Sequence, residues 1–501
     1  MYSSRFYNID QIIKDYSKQK SDTICLIFEN LDTNFSEQLT YKEFDNYISK
    51  ASNYLKSKNI SAESKILISF PNSLVFLIFL FACFRTGIVC VTVNPNLTDR
   101  ELAYQYKKSD SIFLISISDK SNITSSNLVI NSDSLSDLDN LLSEHSTIYS
   151  GNLVNPDMEA TILFTSGTTN LPKGVISTNY SYLNKISNVS KHLKMTDKDR
   201  HYLTLPIFHT NGQYSLLAAL SVGGSAVITS RFSTSKYFEI AKKFDVTLST
   251  LFASTIRMLL LSKNTLFDKN NKLRLIMFAQ SVSEAELIQW DKKFGINLIQ
   301  IYGMSETTGM ISANPLNQSK NMSMGKILPL YKYKILNFDG QTSKTYENGE
   351  LLIQGESGIT FMKGYINDSK STNSTIVNNF LHTGDIVYED DEGYIFFVDR
   401  VNDVIKRSGE NISTIEIENI IINHPDVRDV SVVGIPDKIM DYKIIAYIIL
   451  NNTNIDLNNL KDFCKMNLVS YKVPEQFIIV DKFPTTPVGK IQKYKLKKEQ
   501  Q

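Results

Sequence analysis

Apolar residues along this chain come in short runs separated by longer segments, and the alternation predicts most of its elements. Lys65-Ile66-Leu67-Ile68-Ser69-Phe70 has the length and branched content of a buried strand, residues 74–87 read as a core helix, and Val89-Cys90-Val91-Thr92-Val93 as a second strand, closed by Asn94-Pro95. This β-α-β rhythm predicts parallel sheet with covering helices. Residues 119–157 are rich in Ser, Asn and Asp and lack periodicity, so a loop-rich connection is expected there. Past residue 158 the pattern resumes. Ala218-Ala219-Leu220 and Ala226-Val227-Ile228 flank Gly223-Gly224, Leu273-Arg274-Leu275-Ile276-Met277-Phe278 reads as a buried strand, and residues 297–302 run into a polar turn.

From about 324 to 398 the signals change to short alternating strands with Asp339-Gly340 and Asn348-Gly349 turns, which predicts an antiparallel barrel or small sheet. Beyond Arg400 an α+β unit is expected: a helix over 415–424, strands at 430–435 and 443–450, a helix near 457–467 and a strand at 476–481. The predicted class is α/β. It comprises a large N-terminal domain (1–400) of layered α/β sheets with a small β-barrel-like subdomain, and a small α+β C-terminal domain (401–501), with the boundary near 400–404.

Composition narrows the function. At 501 residues, 42% hydrophobic and 11% aromatic, the chain exceeds one ordinary core and is globular. Lys and Arg number 53 against 52 Asp and Glu, so the net charge of +1 offers no field to attract nucleic acid or an anionic membrane. Cys25, Cys83, Cys90 and Cys464 have neither zinc-knuckle nor disulfide-framework spacing, which predicts reduced, buried thiols in a cytoplasmic protein. The greasiest run, residues 74–84, is far shorter than the ~20 residues that span a bilayer, and the chain opens Met1-Tyr2-Ser3-Ser4-Arg5 without an apolar signal core.

Five polar stretches carry chemistry. Phe164-Thr165-Ser166-Gly167-Thr168-Thr169-Asn170-Leu171-Pro172-Lys173-Gly174 gathers hydroxyls, glycines and a lysine after the apolar residues 160–163, a composition suited to polyphosphate. It lacks the Gly-x4-Gly-Lys order of a Walker loop, and by itself it also reads as a surface turn. Tyr302-Gly303-Met304-Ser305-Glu306-Thr307-Thr308-Gly309 offers an aromatic that can stack on a purine and a carboxylate that can hold Mg²⁺; a capped helix start, with Ser305 or Thr307 as N-cap, is the other reading. His382-Thr383-Gly384-Asp385 offers a carboxylate to ribose hydroxyls. The fourth stretch is the charged segment 398–412, and the fifth is Pro484-Thr485-Thr486-Pro487-Val488-Gly489-Lys490-Ile491, a stiff turn presenting a lysine.

Together, and in this order, the five resemble the adenylate-forming superfamily of acyl-CoA synthetases, carrier-protein adenylation domains and beetle luciferases, over about residue 25 to the end. The wording of 273–310 and 382–435 is most similar to the crotonobetaine/carnitine-CoA ligase branch and its fatty-acyl relatives. The resemblance implies ATP-dependent activation of a small-molecule carboxylic acid to acyl-AMP, then transfer to coenzyme A. ATP and Mg²⁺ are the implied cofactors and coenzyme A the co-substrate, and a homodimer is one assembly it allows. By this likeness Thr165, Ser166, Gly167, Thr168, Thr169 and Lys173 line the ATP phosphates, Tyr302, with Gly303, Ser305 and Thr307, meets the adenine side, and Glu306 helps bind Mg²⁺. Asp385 and Arg400 attend the ribose, and Gly409 lines the pantetheine channel. Lys490, on a mobile C-terminal domain hinged at Asn402, bridges substrate carboxylate and α-phosphate. His209, in Leu205-Pro206-Ile207-Phe208-His209-Thr210-Asn211-Gly212, matches the gate beside the carboxylate pocket, and otherwise reads as a core histidine.

The chain departs from the family pattern in places. Asn170 replaces a glycine, Asn402 an Asp or Lys, and Lys493 an arginine, while residues 278–282 (Phe-Ala-Gln-Ser-Val) stand where many relatives carry a Gly-Gly-Ala-Pro-like segment. No aspartate follows Phe208 to pair with an α-ammonium, which disfavours an amino acid substrate. Transfer to a carrier-protein phosphopantetheine, and a non-catalytic nucleotide-binding role, are the alternatives.

Overall fold

The structure, a computed structural model, describes residues 5–165, 171–263, 265, 267–401, 403–407, 410–437, 441–451, 456–485 and 491–498, with backbone alone at 406, 410, 411 and 441. Within these residues the chain divides into two compact units, one spanning Met1–Gly167, Leu171–Lys332 and Ile353–Leu381, the other Tyr333–Leu352 and His382–Gln501.

Two sheets organise the first unit. In the seven-stranded sheet the order is Gly364–Tyr365, Lys173–Thr178, Glu159–Thr165, Val89–Thr92, Lys65–Ser69, Phe113–Ser116, Asn127–Val129. Lys65–Ser69 runs parallel to Val89–Thr92 and Phe113–Ser116, as the β-α-β rhythm predicts. The nine-stranded sheet runs Lys326–Ile327, Gly309–Ala313, Asn297–Met304, Leu275–Ala279, Leu248–Phe252, Arg200–Leu203, Ser225–Thr229, Ile24–Asn30, Phe35–Thr40. One face is covered by the helices Tyr237–Lys243, Ala253–Leu261 and Glu284–Phe294, whose apolar residues form a core with Tyr202, Val227, Ile276 and Phe278. Trp290, the single tryptophan, sits in that core with its indole N–H donating to the Ile296 carbonyl at 3.0 Å.

Helix Leu74–Thr86 is buried on every side from Leu74 to Arg85, so it has no polar face and stays interior. Arg85 closes it with a buried network. Its guanidinium donates to Asp10 at 2.8 Å, Asp45 at 2.6 Å and Ser49 at 2.7 Å, tying helices Ile9–Gln19 and Tyr41–Ser57 to its own.

The segment expected to be loop-rich holds two small elements. Asn127–Val129 adds a parallel edge strand to Phe113–Ser116, and Leu135–Leu142 is a helix. Ser134 caps that helix, and the Glu37 carboxylate accepts the Leu135 N–H at 3.0 Å. Leu135, Leu138 and Leu142 are buried at helical spacing, a signal too short to stand out among so many serines and aspartates.

Across residues 332–400 the strands run in the order Lys332–Leu336, Gly349–Gln354, Phe380–Glu389, Ile376–Val377, with Ile395–Arg400 also paired antiparallel to Phe380–Glu389, a small sheet where the Asx-Gly turns predict one. Farther on, Val427–Asp437, Asp441–Leu450 and Gln476–Ile479 form a three-stranded sheet with alternating burial. Val430, Val432, Ile444, Ala446 and Ile448 face helices Thr414–Ile421 and Leu457–Asn467, and Val433, Ile435, Ile445 and Tyr447 face Phe483 and Leu496. Strand Val427–Asp437 outruns its predicted span because its hairpin partner pairs with it from Val427↔Leu450 to Asp437↔Asp441.

Removing the cation from the Arg85 network leaves the buried Asp10 with Lys14 alone and the half-buried Asp45 without its guanidinium. Arg85→Met is expected to cost about 3–5 kcal/mol, read as a fall in the urea midpoint with unchanged slope.

Candidate active site

Strands Glu159–Thr165 and Lys173–Thr178 form an antiparallel hairpin in which Thr165 stands directly opposite Lys173. These two strands flank the Ser/Thr/Gly run on either side. Thr165 and Lys173 are partly exposed at its base, where the Thr165 hydroxyl lies 3.5 Å from the Lys173 carbonyl. Ser166, Gly167, Thr168, Thr169 and Asn170 lie outside the described residues, as do Asn402, Gly409 and Lys490.

The second motif is a hairpin turn. Strand Asn297–Met304 passes through a single 3₁₀ turn, Ser305–Thr307, into strand Gly309–Ala313. The Thr307 hydroxyl accepts from the Met304 N–H at 3.0 Å, and Thr308 takes a left-handed backbone, φ 56°. A Cβ on Gly303 would lie 2.1 Å from the Gly309 carbonyl oxygen, so only glycine lets the two strands close this tightly. Tyr302 is half-buried on the strand that leads into the turn, and Glu306 is buried, 8% exposed.

Tyr365, from the edge strand Gly364–Tyr365, links these two motifs. Its hydroxyl donates to Glu306 Oε1 at 2.8 Å, and the Lys173 ammonium lies 5.2 Å from its ring centroid. Among the described residues no hydrogen bond reaches Glu306 Oε2. A buried carboxylate with one oxygen committed to a phenol and the other uncommitted fits a hard, oxygen-seeking cation such as Mg²⁺. Lys185, fully buried, braces the same turn from below, its ammonium donating to the Met310 carbonyl at 2.6 Å and the Tyr331 hydroxyl at 2.5 Å. Burial pushes its pKa well below the usual lysine value.

His209 immediately precedes helix Thr210–Ser221, its ring 4.6 Å from that of Phe208. Thr210 Oγ1 donates to Ser305 Oγ at 3.3 Å, so the gate segment touches the Glu306 turn. The segment is held from behind by two buried amides that the sequence did not single out. Asn72 accepts the Ile207 N–H at 2.8 Å, and Gln213 donates to the Ile207 carbonyl at 3.0 Å and to Thr92 at 3.2 Å. Gln213 also accepts from Tyr182, whose hydroxyl meets Thr161 at 2.9 Å. Gln280, within the segment where many relatives carry a Gly-Gly-Ala-Pro-like sequence, takes a left-handed backbone, φ 75°. Arg257, paired with Glu286 at 2.7 Å, donates to the adjacent Ser281 carbonyl at 3.1 Å.

Asp385 and Arg400 belong to the second unit, on paired strands directly opposite each other. The Arg400 Nε and Asp385 Oδ1 form an ion pair at 3.0 Å, and Asp385 is 1% exposed. Upstream, Glu350 accepts the Gly384 N–H at 3.1 Å and lies 3.0 Å from His382 Nδ1, which fixes the Thr-Gly-Asp turn.

Lys493 is a structural node of the same unit. Its ammonium donates to Thr414 Oγ1 at 2.6 Å and pairs with Glu418 at 2.8 Å, and Thr414 donates in turn to Asp399 Oδ2 at 2.8 Å. Lys497 reaches Asp403 at 2.9 Å. Burial lowers the pKa of Lys493, but Glu418, Asp399 and Asp403 outweigh it and raise the net value. The replacement for the family's arginine thus serves as a point charge among carboxylates, a task that needs no bidentate fork.

Residues 13–366 match the AMP-binding enzyme family and residues 416–490 the AMP-binding enzyme C-terminal domain. Crotonobetaine/carnitine–CoA ligase of Salmonella heidelberg is 30% identical over 511 aligned residues, spanning 98% of this chain and 99% of that protein. The solved structure of O-succinylbenzoate coenzyme A synthetase from Bacillus subtilis, in complex with ATP and magnesium ion, has a TM-score of 0.86 at 28% identity, covering 97% of this chain and 99% of that one. An anthranilate CoA ligase bound to anthranoyl-AMP shares the fold, with a TM-score of 0.87 at 22% identity and 99% and 97% coverage. The chain belongs to the AMP-binding enzyme family, as an adenylate-forming ligase of the acyl-CoA synthetase type.

Lys493→Met strands Glu418 without its cation and is expected to cost about 3 kcal/mol. Because the folded pKa of Lys493 is raised, the wild-type advantage is full below the ordinary lysine value and fades as pH rises through the folded one. Denaturant midpoints of wild type and variant should therefore differ at pH 7 and converge at strongly alkaline pH.

Proposed function

We propose that this enzyme activates a fatty or carnitine-like carboxylic acid with ATP and passes the acyl group to coenzyme A in the cytoplasm. The observation that carries the reading is the junction of Lys173 and Glu306 at Tyr365, with the His209 segment touching the same turn through Thr210 and Ser305. It puts groups suited to polyphosphate, to a metal and to a carboxylate pocket within one unit. The four cysteines are free and buried, in keeping with a reducing compartment.

In the first half-reaction a carboxylate oxygen attacks the α-phosphorus, the bond to the β-phosphate bridging oxygen breaks, and pyrophosphate leaves. Two anions must meet, so the barrier is largely electrostatic. Thr165 and Lys173 would hold the departing phosphates, Asp385 the ribose and Tyr302 the adenine. Glu306 would hold Mg²⁺, which draws off phosphate charge when bound. Lys490 would neutralise charge between carboxylate and α-phosphate. In the second half-reaction the thiol sulfur of coenzyme A attacks the acyl carbon, the bond to the AMP phosphate breaks, and the thiol proton is released. Movement of residues 401–501 about Asn402 would exchange Lys490 for the Gly409 channel between the two steps.

The apolar part of such an acid would meet half-buried Phe252, where the Thr255 hydroxyl is spent on the Phe252 backbone, accepting its N–H at 3.0 Å and reaching its carbonyl at 2.7 Å.

A panel of carboxylic acids assayed by pyrophosphate release, with free coenzyme A or holo-carrier protein as acceptor, tests this. Acid-dependent release followed by acyl-CoA formation is expected, and acceptance by carrier protein alone would sink the coenzyme A assignment. Lys490→Ala should lose about 100-fold or more in pyrophosphate release while still forming thioester from supplied acyl-AMP. Gly409→Leu should show the reverse, and equal loss of both half-reactions would contradict the exchange.

A further inference from the structure

We propose that Tyr365 is a positioning residue that holds Glu306 and Lys173 in working register through its hydroxyl and its ring. The inference rests on the adenylation reading of this site and assigns a part in it to a residue outside the five motifs.

Backbone pairing fixes where Tyr365 stands. Its strand pairs antiparallel with the Lys173–Thr178 strand, Gly364 opposite Ile176 and Tyr365 opposite Val175, so it shares a sheet with the base of the phosphate hairpin. The Tyr365 N–H donates to Thr372 Oγ1 at 2.9 Å, which secures the far side. Three residues earlier, the Met362 N–H donates to the Glu306 carbonyl at 2.8 Å. Glu306 is therefore gripped twice by one short stretch, by backbone at Met362 and by side chain at Tyr365.

The chemistry follows from which atoms are used. The phenol takes Glu306 Oε1, which restricts rotation of the carboxylate, and among the described residues no hydrogen bond takes Oε2. The ring presents its negative face to the Lys173 ammonium. One side chain thus contacts both the carboxylate suited to a metal and the ammonium suited to phosphate. Outer partners of this kind orient a metal-binding carboxylate and set its affinity.

The test is Mg²⁺-dependent binding of a non-hydrolysable ATP analogue to the full chain, read by calorimetry, with thermal melts alongside. Tyr365→Phe keeps the ring and removes the hydroxyl. It should raise the Mg²⁺ concentration for half-saturation about tenfold, leave metal-free analogue affinity unchanged and barely move Tm. Glu306→Gln should raise it further, and the Tyr365→Phe/Glu306→Gln double variant should match Glu306→Gln alone. A lowered Tm with an unchanged Mg²⁺ midpoint would mean a merely structural role and overturn the proposal, as would additive effects in the double variant. Wild-type protein that binds Mg²⁺ and analogue but releases no pyrophosphate with any acid defeats the functional reading and leaves this one to stand on the variants. Wild-type protein that binds neither overturns both.

Discussion

A buried amide must find partners for every donor and acceptor it carries, and much of the first unit is arranged around that demand at Gln213. The residue has no exposed surface, yet its amide engages Thr92, the Ile207 carbonyl and Tyr182, and Tyr182 passes the connection on to Thr161. Thr92 and Thr161 lie on neighbouring parallel strands of the seven-stranded sheet, whereas Ile207 belongs to the loop after a strand of the nine-stranded one. Losing any member would leave a polar group dry at a cost comparable to several good contacts. The loop that carries His209 is accordingly fixed to both sheets before any ligand arrives, and Asn72 repeats the device from the other side.

That fixation bears on a reaction whose difficulty is charge. Groups that stabilise a transition state by preorganisation must not spend binding energy moving into place. Within the first unit the polar side chains suited to phosphate and metal are each backed by another layer: Lys173 by the Tyr365 ring, Glu306 by the Tyr365 hydroxyl and the Met362 N–H, and the strand after the turn by Lys185. In the second unit Asp385 is backed by Arg400, and the turn before it by Glu350. Lys185 shows how far this goes, since a buried ammonium held by a carbonyl and a phenol, with no carboxylate, is stability given up for position.

Strands such as Lys65–Ser69 and the helix Leu74–Thr86 were legible because a continuous apolar run is stable only where water is excluded on all sides. The small C-terminal sheet was legible through its alternation. Short elements with local signals, such as Leu135–Leu142, were not, because three leucines among polar residues do not rise above the background of a loop. The site divided along a similar line. Thr165, Lys173, Tyr302, Glu306, Asp385 and Arg400 lie in compact motifs that sequence order alone makes recognisable, and the fold shows which of them share a unit. Tyr365, Asn72, Gln213 and Lys185 act through partners far away in sequence, and a lone tyrosine, amide or lysine carries no mark of that before the chain is folded. The glycine-like backbone at Gln280 was partly visible, since a departure from the family pattern was evident while its left-handed conformation was not.

Trp290 is the sole indole in the chain, packed against Phe294 with ring centroids 4.7 Å apart and buried on the inner face of its own helix, Glu284–Phe294, which begins just after residues 280–283. Its red-edge absorption and its emission are therefore attributable to one address, without the averaging that several tryptophans impose. Fluorescence excited at that edge reports on the packing of this corner of the nine-stranded sheet, next to the segment in which the chain departs most from its relatives. The protein carries its own optical probe beside that segment, and no label has to be introduced to use it.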